Sequence, residues 1–181
     1  TANHSGILGL SSSVTTNSGS YVRSDASSIL VSGGEVFECI FQHKVASGTA
    51  TTIRVGFFDN STITNPTDGC FFDIAAGSLA VVGKNYNNNA NSATVTIATI
   101  ATDTWYRLKV EVNSGATSVT YTIYDETGAI VGTPQSLTTN IPTGAGRNCG
   151  AGFIATNSGT VATSLAWIDM LSFYYNKIIT R

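Results

Sequence analysis

Charged side chains are scarce in this chain of 181 residues. Asp, Glu, Lys and Arg make up 11% of it, whereas hydrophobic residues make up 42%. Most solvent-facing positions must therefore be filled by Ser, Thr, Asn, Gly and Ala. Nine basic residues stand against eleven acidic ones, so no basic excess exists to displace counterions from phosphates. We therefore expect no nucleic-acid partner.

Long apolar runs are also absent. No stretch approaches the ~20 consecutive apolar residues that a membrane-spanning helix needs, so we expect no membrane insertion. The opening sequence Thr1-Ala-Asn-His-Ser lacks the basic flank and apolar centre of a signal peptide. The length is that of one domain with one core.

Cysteine is rare and its count of three is odd, so a complete set of intrachain disulfides is impossible. Cys39 lies two residues from both Phe37 and Phe41, on one face of a predicted strand. This is the setting of a small buried hydrophobe. We interpret Cys39, Cys70 and Cys149 as inert core thiols.

What is present is a strict alternation of apolar and polar residues in short runs separated by turn-forming residues. Within the run 104–112, Tyr106, Leu108, Val110 and Val112 share one face, and the other face carries Arg107, Lys109 and Glu111. After the turn 113–116, the run 117–124 alternates in the same way, which predicts an antiparallel hairpin. A second hairpin is predicted through the turn 125–128 into residues 129–131.

Further strands are predicted at 28–31, 35–43, 51–58, 69–75, 79–84, 93–100, 149–155 and 164–178. No window shows the 3.6-residue period of a helix. Roughly ten to fourteen strands exceed what one twisted open sheet tolerates. The predicted fold is therefore all-β, a two-sheet antiparallel jelly-roll sandwich. We expect residues 1–25 to form an edge strand or connector, and residues 26–181 to form the sandwich domain.

Five segments carry a resemblance to a known module: 104–120, 138–147, 150–152, 167–171 and 66–72. Together they resemble a module of bacteriophage tail-fibre, tailspike and other virion-appendage proteins, over roughly residues 30–176. The resemblance implies a concanavalin A-like or laminin-G-like sandwich without catalytic machinery. It also implies a place in the virion after synthesis in the host cytoplasm, other virion proteins as partners, and a homo-oligomer, most often a trimer.

Catalytic constellations are missing from the sequence. Sandwich glycanases place carboxylates on alternate residues of one strand, because only such residues point into the same cleft. Here Glu35 and Glu38 are three apart, and Glu111 is flanked by Lys109 and Asn113. No Gly-x-Ser-x-Gly motif is present. We therefore assign no catalytic residue and expect no enzyme, although a carboxylate pair formed between strands would leave a hydrolase or lyase open.

Two carboxylates are candidates for a calcium site. Asp59 and Asp68 flank the loop 61–67, and laminin-G-like sandwiches often carry Ca²⁺ at such a rim. The alternative is that both residues are turn formers. No other cofactor is indicated.

The most distinctive polar segment is 84–92. Asparagine amides donate and accept hydrogen bonds together, and a tyrosine ring can pack on the apolar face of a sugar. The predicted glycan-binding residues are Asn85, Tyr86, Asn87, Asn88 and Asn89. The alternative is an Asn-rich hairpin loop without a ligand.

Two tryptophans, Trp105 and Trp167, would be sugar platforms if exposed, and packing residues otherwise. These features favour a non-catalytic virion module that binds a host-surface glycan or receptor, with host polysaccharide as a candidate partner. The alternative is a purely structural virion protein such as a head decoration, collar or trimerising cap.

Overall fold

The computed structural model describes residues 4, 6–11, 15, 18–44, 51–60, 64–157 and 165–176. Regular structure in these residues is entirely β, and no helix among them is long and apolar enough to cross a membrane. The strands are β1 Leu8–Leu10, β2 Gly19–Arg23, β3 Ile29–Leu30, β4 Glu35–His43, β5 Thr51–Phe58, β6 Gly69–Ile74, β7 Ala80–Asn87, β8 Ala90–Asn91, β9 Val95–Thr99, β10 Trp105–Val112, β11 Val119–Tyr124, β12 Gln135–Leu137, β13 Asn148–Asn157 and β14 Ala166–Tyr175.

The strands form two antiparallel sheets, which confirms the predicted sandwich. The first sheet has the order β1-β14-β4-β10-β11-β12, and the second has the order β2-β13-β5-β6-β7-β8. Strand β3 pairs with β13 and β9 pairs with β7. In residues 1–25, predicted to form an edge strand or connector, β1 lies at the edge of the first sheet and β2 at the edge of the second. The domain division at residue 25 stays a prediction.

The alternation in β10 and β11 determines which side chains enter the core. Val112 pairs with Val119 and Arg107 with Tyr124, so the predicted hairpin is confirmed. Tyr106, Leu108 and alternate residues beyond them are buried between the sheets, whereas the intervening charged residues face outward. Burial of such a face supplies most of the stability of a sandwich.

The second predicted hairpin is only partly formed. The turn 125–128 closes, but residue 130 makes a single bridge to Tyr124, and the next strand is β12. Gly132 has φ +74°, a conformation that leaves the extended region, and Pro134 has no N–H to donate to a ladder. These two residues explain why pairing resumes only at Gln135.

The three cysteines are free and buried, as predicted. Burial raises the pKa of the Cys39 and Cys70 thiols well above the ordinary value. They therefore remain protonated and pack as small hydrophobes.

Candidate functional site

The outer face of the second sheet carries a buried charge network. Arg54 Nε donates to Asp73 Oδ1 over 3.1 Å, and Lys84 Nζ donates to Asp73 Oδ2 over 2.5 Å. Arg54 also donates to Thr64 O and to Asn65 Oδ1. The Arg54 and Asp73 side chains are each 5% exposed, and the contacts of Arg54 with residues 64–65 help to close this part of the face to a ligand.

An apolar cluster lies beside this network on the same face. Phe58, Phe71, Tyr86 and Ile154 pack together outside the second sheet and are all buried. The Tyr86 ring stacks on Phe71 with 5.7 Å between centroids and 20° between planes. Tyr86, predicted to contact a glycan, is therefore placed inside this cluster.

The first of the predicted glycan-binding asparagines lies in the interior. Asn85 is fully buried. Its Nδ2 donates to Thr139 O over 3.0 Å, and its Oδ1 accepts from the Tyr121 hydroxyl over 2.6 Å. The amide that was predicted to face a sugar thus ties β7 to β11 and to the chain before β13.

The remaining asparagines of this loop lie at the rim. Asn87 Nδ2 donates to Ile141 O over 3.2 Å. Asn88 and Asn89 have φ values of 54° and 66° and form the two-residue turn between β7 and β8, which is the geometry of a type I′ hairpin. Only these two side chains of the predicted set are exposed, and glycan binding by this loop stays a prediction.

The structure brings the two predicted calcium ligands together. Asp59 N donates to Asp68 O over 3.1 Å, and burial, reinforced by the nearby Asp68 charge, raises the pKa of Asp59. Asp59 Oδ1 accepts from Thr67 N, while the Asp68 carboxylate accepts from Asn88 N and from Arg147 Nη1.

These contacts fit a calcium ion poorly. Ca²⁺ takes 6–8 oxygen ligands, whereas Arg147 already supplies a cation beside Asp68 at 3.4 Å. In the described part of the chain, no three His, Cys, Asp or Glu side chains are grouped to hold a metal. Residues 61–63 of the predicted loop lie outside the described residues, and calcium binding stays a prediction.

The outer face of the first sheet is different, because it carries both tryptophans. Trp105 on β10 and Trp167 on β14 each pair with Gln42 of the intervening strand β4. His4 stacks on Trp105 with 4.1 Å between ring centroids and 18° between planes. Lys44 Nζ lies 4.1 Å from the centroid of the Trp167 ring.

A cavity of about 290 Å³ opens beside Trp105. This is close to the lower end of the roughly 300–1,000 Å³ that small-molecule sites occupy. His4 Nδ1 donates to Asp169 Oδ2 over 2.9 Å, while His4 Nε2 is buried and has no protein partner in the described chain. The residues lining the cavity are His4, Ile40, Trp105, Tyr106, Arg107, Asp125, Glu126, Thr127 and Gly128.

The turn at the rim of this cavity presents a fixed carboxylate. Asp125 Oδ1 accepts from Thr127 Oγ1 over 2.7 Å, from Thr127 N over 2.8 Å and from Ala129 N over 3.0 Å. The Thr127 hydroxyl, aided by these backbone N–H groups, holds the pKa of Asp125 below its ordinary value. The carboxylate is therefore ionised at neutral pH and is held at the cavity mouth.

Arginine occupies another wall. The Arg107 guanidinium lies 4.1 Å from the centroid of the Tyr124 ring, and its Nη1 donates to Glu38 Oε2 over 3.3 Å. No sequence motif marks Arg107 or Asp125 as a site residue. The sequence does indicate that Trp105 and Arg107 lie on the same face of the sheet, because they are two residues apart on one strand.

Solved structures share this architecture. A protein of unknown function, SO2946 from Shewanella oneidensis MR-1, superposes with a TM-score of 0.73 at 20% identity, covering 96% of this chain and 70% of its own. A Bacillus licheniformis β-glucanase superposes with a TM-score of 0.64 at 13% sequence identity, covering 94% of this chain and 78% of the glucanase. The CBM2 module of the evolved Dit of Lactobacillus casei BL23 phage J-1 superposes with a TM-score of 0.62 at 10% sequence identity, covering 97% of this chain and 79% of the module.

At these identities the likenesses establish the fold. A comparison with curated protein sequences finds no match. A family model described as "SO2946-like, C-terminal domain" matches residues 3–169, and the chain therefore belongs to this family.

Proposed function

We propose that this domain is a non-catalytic carbohydrate-binding module whose ligand occupies the cavity beside Trp105. The observation that carries the proposal is the lining of that cavity, which combines aromatic walls with both hydrogen-bond donors and acceptors. Sugar rings present apolar C–H faces and polar edges, so a site for them needs both kinds of surface.

Each wall has a distinct part in this proposal. Trp105 is only 8% exposed because His4 stacks on its ring, so the stacked His4–Trp105 pair provides the apolar wall for a sugar face. The Asp125 carboxylate accepts from sugar hydroxyls, and Arg107 donates to them. His4 is fixed in the lining by its hydrogen bond to Asp169 Oδ2 over 2.9 Å.

The arrangement of acids supports binding without catalysis. None of the eleven acidic residues stands two positions from another, so no strand carries an alternating carboxylate array. Asp73 is flanked at those positions by Phe71 and Ala75, and it is held by two cations. At the cavity, the lowered pKa of Asp125 suits an acceptor, whereas the general acid of a glycosidase needs a raised pKa.

The proposed setting is a virion appendage, with a homotrimer as the working form. This is supported by the sequence resemblance to phage fibre modules and by the fold that the chain shares with a phage Dit module. One shallow sugar site of millimolar affinity supplies only about −4 kcal/mol, whereas linked sites raise avidity by roughly 10²–10⁴. Sedimentation of the intact protein tests this, because a monomer that adsorbs tightly to cells would contradict it.

A tryptophan comparison tests the site. Trp105→Leu and Trp167→Leu make the same change on the same face of the first sheet, but only Trp105 lines the cavity. On an array of bacterial and plant polysaccharides, Trp105→Leu should weaken binding at least about tenfold, as expected for loss of ~1.4 kcal/mol, and Trp167→Leu should stay near wild type. Circular dichroism checks that both variants fold.

Two outcomes would contradict the proposal. The wild-type protein binding no polysaccharide on the array would leave the purely structural virion part as the better function. Equal losses in the two variants would place the site elsewhere on the molecule.

A further inference from the structure

We infer that the ligand is an uncharged linear glycan that leaves the cavity and runs along the outer face of the first sheet as far as Tyr174, so that the domain binds inside a chain and not at its end. This inference rests on the proposed function. The surface concerned, here called the track, consists of Glu38, Arg107, Lys109, Glu111, Tyr124 and Tyr174.

The strand geometry sets the length of the track. Trp105, Arg107, Lys109 and Glu111 point outward at two-residue intervals along β10. At about 3.3–3.4 Å per residue, the outward row from Trp105 to Glu111 is roughly 20 Å long. Glu111 pairs with Val36 of β4, which pairs with Tyr174 of β14. The track therefore starts at the cavity and ends two strands away at Tyr174.

The side chains of the track are held in place by their own contacts. The Tyr174 hydroxyl donates to Glu38 Oε1 over 3.1 Å, and Glu38 Oε2 accepts from Arg107 Nη1. Arg107 in turn lies over the Tyr124 ring. Although its hydroxyl is anchored, the Tyr174 side chain remains 43% exposed. Groups fixed before binding lose little conformational entropy when a ligand arrives.

The charges of the track cancel, and this selects the ligand class. Arg107 pairs with Glu38 at 3.3 Å, and Lys109 pairs with Glu111 at 2.9 Å. Each cation is thus already neutralised, and the cavity adds the carboxylates of Asp125 and Glu126. A polyuronate would meet no free cation and would face extra negative charge. Hydroxyl groups both donate and accept, so an uncharged glycan can bond to either member of each pair.

Chain-length dependence tests the inference. The probes are β-1,3-, β-1,4- and α-1,4-linked gluco-oligosaccharides of two to six units, with oligogalacturonates of the same lengths as charged counterparts. Calorimetric titration should give at least about tenfold tighter binding of one neutral hexasaccharide than of its disaccharide. The galacturonate of equal length should bind more weakly than either.

Two matched tyrosine variants test which residue is responsible for the tighter binding of the hexasaccharide. Tyr174→Ala should abolish the advantage of the hexasaccharide and leave disaccharide affinity within about twofold. Tyr21→Ala removes the same type of ring from the second sheet, where Tyr21 is 59% exposed. This control variant should keep the full affinity advantage of the hexasaccharide. Tyr174→Phe retains the ring and should keep most of it.

The outcomes separate this inference from the proposed function. Equal affinities for the disaccharide and hexasaccharide, with binding still lost in Trp105→Leu, would overturn the track and leave the cavity. Preference for oligogalacturonate would overturn the ligand class. A Tyr174→Ala variant with the full chain-length gain would also overturn the track, and failure of every probe to bind would overturn the inference as a whole.

Discussion

Neutralising Asp73 should destabilise the domain strongly, because its carboxylate is the shared partner of two cations. In Asp73→Asn the amide can accept from only one of Arg54 and Lys84, and the Arg54 side chain is 5% exposed. Removing one partner of a buried ion pair typically costs about 3–5 kcal/mol, since the other charge stays buried without compensation. Against a total stability of ~5–15 kcal/mol, that loss would be severe.

Asp103→Asn is the matched control. Asp103 pairs with Lys44, but its side chain is 64% exposed, and exposed pairs contribute about 0–1 kcal/mol. Its φ of 55° is a conformation that asparagine tolerates. Urea unfolding of both variants should therefore give a loss of about 3 kcal/mol or more for Asp73→Asn and under about 1 kcal/mol for Asp103→Asn.

High salt concentration separates the effects of the buried and the exposed ion pair. In 1 M NaCl the Debye length falls to about 3 Å, and buried pairs are screened much less than exposed ones. The deficit of Asp73→Asn should therefore persist at high salt. A deficit below about 1 kcal/mol, or one that disappears in 1 M NaCl, would mean that solvent reaches the network and that residues 64–65 do not close this face.

Three further changes test the core and the rim. Val110→Asp places an unpaired carboxylate at a fully buried position and should prevent folding, as read by circular dichroism. Gly83→Ala brings a methyl group 2.7 Å from the Tyr121 ring and should lower stability by about 1–3 kcal/mol, whereas Gly115→Ala, with its nearest contact at 3.8 Å, should not. The pKa of Asp59 is raised in the folded state. The free energy of unfolding therefore falls as the pH rises from the pKa of an unfolded Asp, about 3.9, through the pKa of folded Asp59. Asp59→Asn should therefore have a higher melting temperature than wild type at pH 7, and this difference should vanish below about pH 3.9. If Asp59 instead bound calcium, a chelator would lower the melting temperature of wild type and leave that of Asp59→Asn unchanged.

The alternation of residues was enough to predict the β-sandwich, because a two-residue period assigns each side chain to one face of a strand. It could not show whether the outer face of a sheet is exposed. Arg54, Phe71 and Asp73 all point away from the core between the sheets, yet all three are buried. Arg54 contacts Asp73 and residues 64–65, and Phe71 is packed against Phe58 and Tyr86. These are long-range contacts that no local pattern encodes.

The asparagine-rich loop illustrates a signal that was present in the sequence. Val81, Gly83 and Asn85 have the same parity on β7, so Asn85 had to point inward with Val81. A polar side chain on the inner face needs partners, and Asn85 finds them in the Tyr121 hydroxyl and Thr139 O. Composition alone drew attention to the amides, whereas parity separated Asn85 from the exposed Asn88.

The candidate cavity could not be assembled from local sequence at all, since its walls come from distant parts of the chain. His4 reaches Trp105 across the first sheet, and the turn at Asp125 follows β11, the partner of the strand that carries Trp105. The contrast between the two outer faces favours the site proposed on the first sheet. On the second sheet the charges of Arg54 and Asp73 are consumed in a closed network, and ligand access would require breaking it. On the first sheet the charges are paired but remain at the surface, so hydroxyl groups can reach them without that cost.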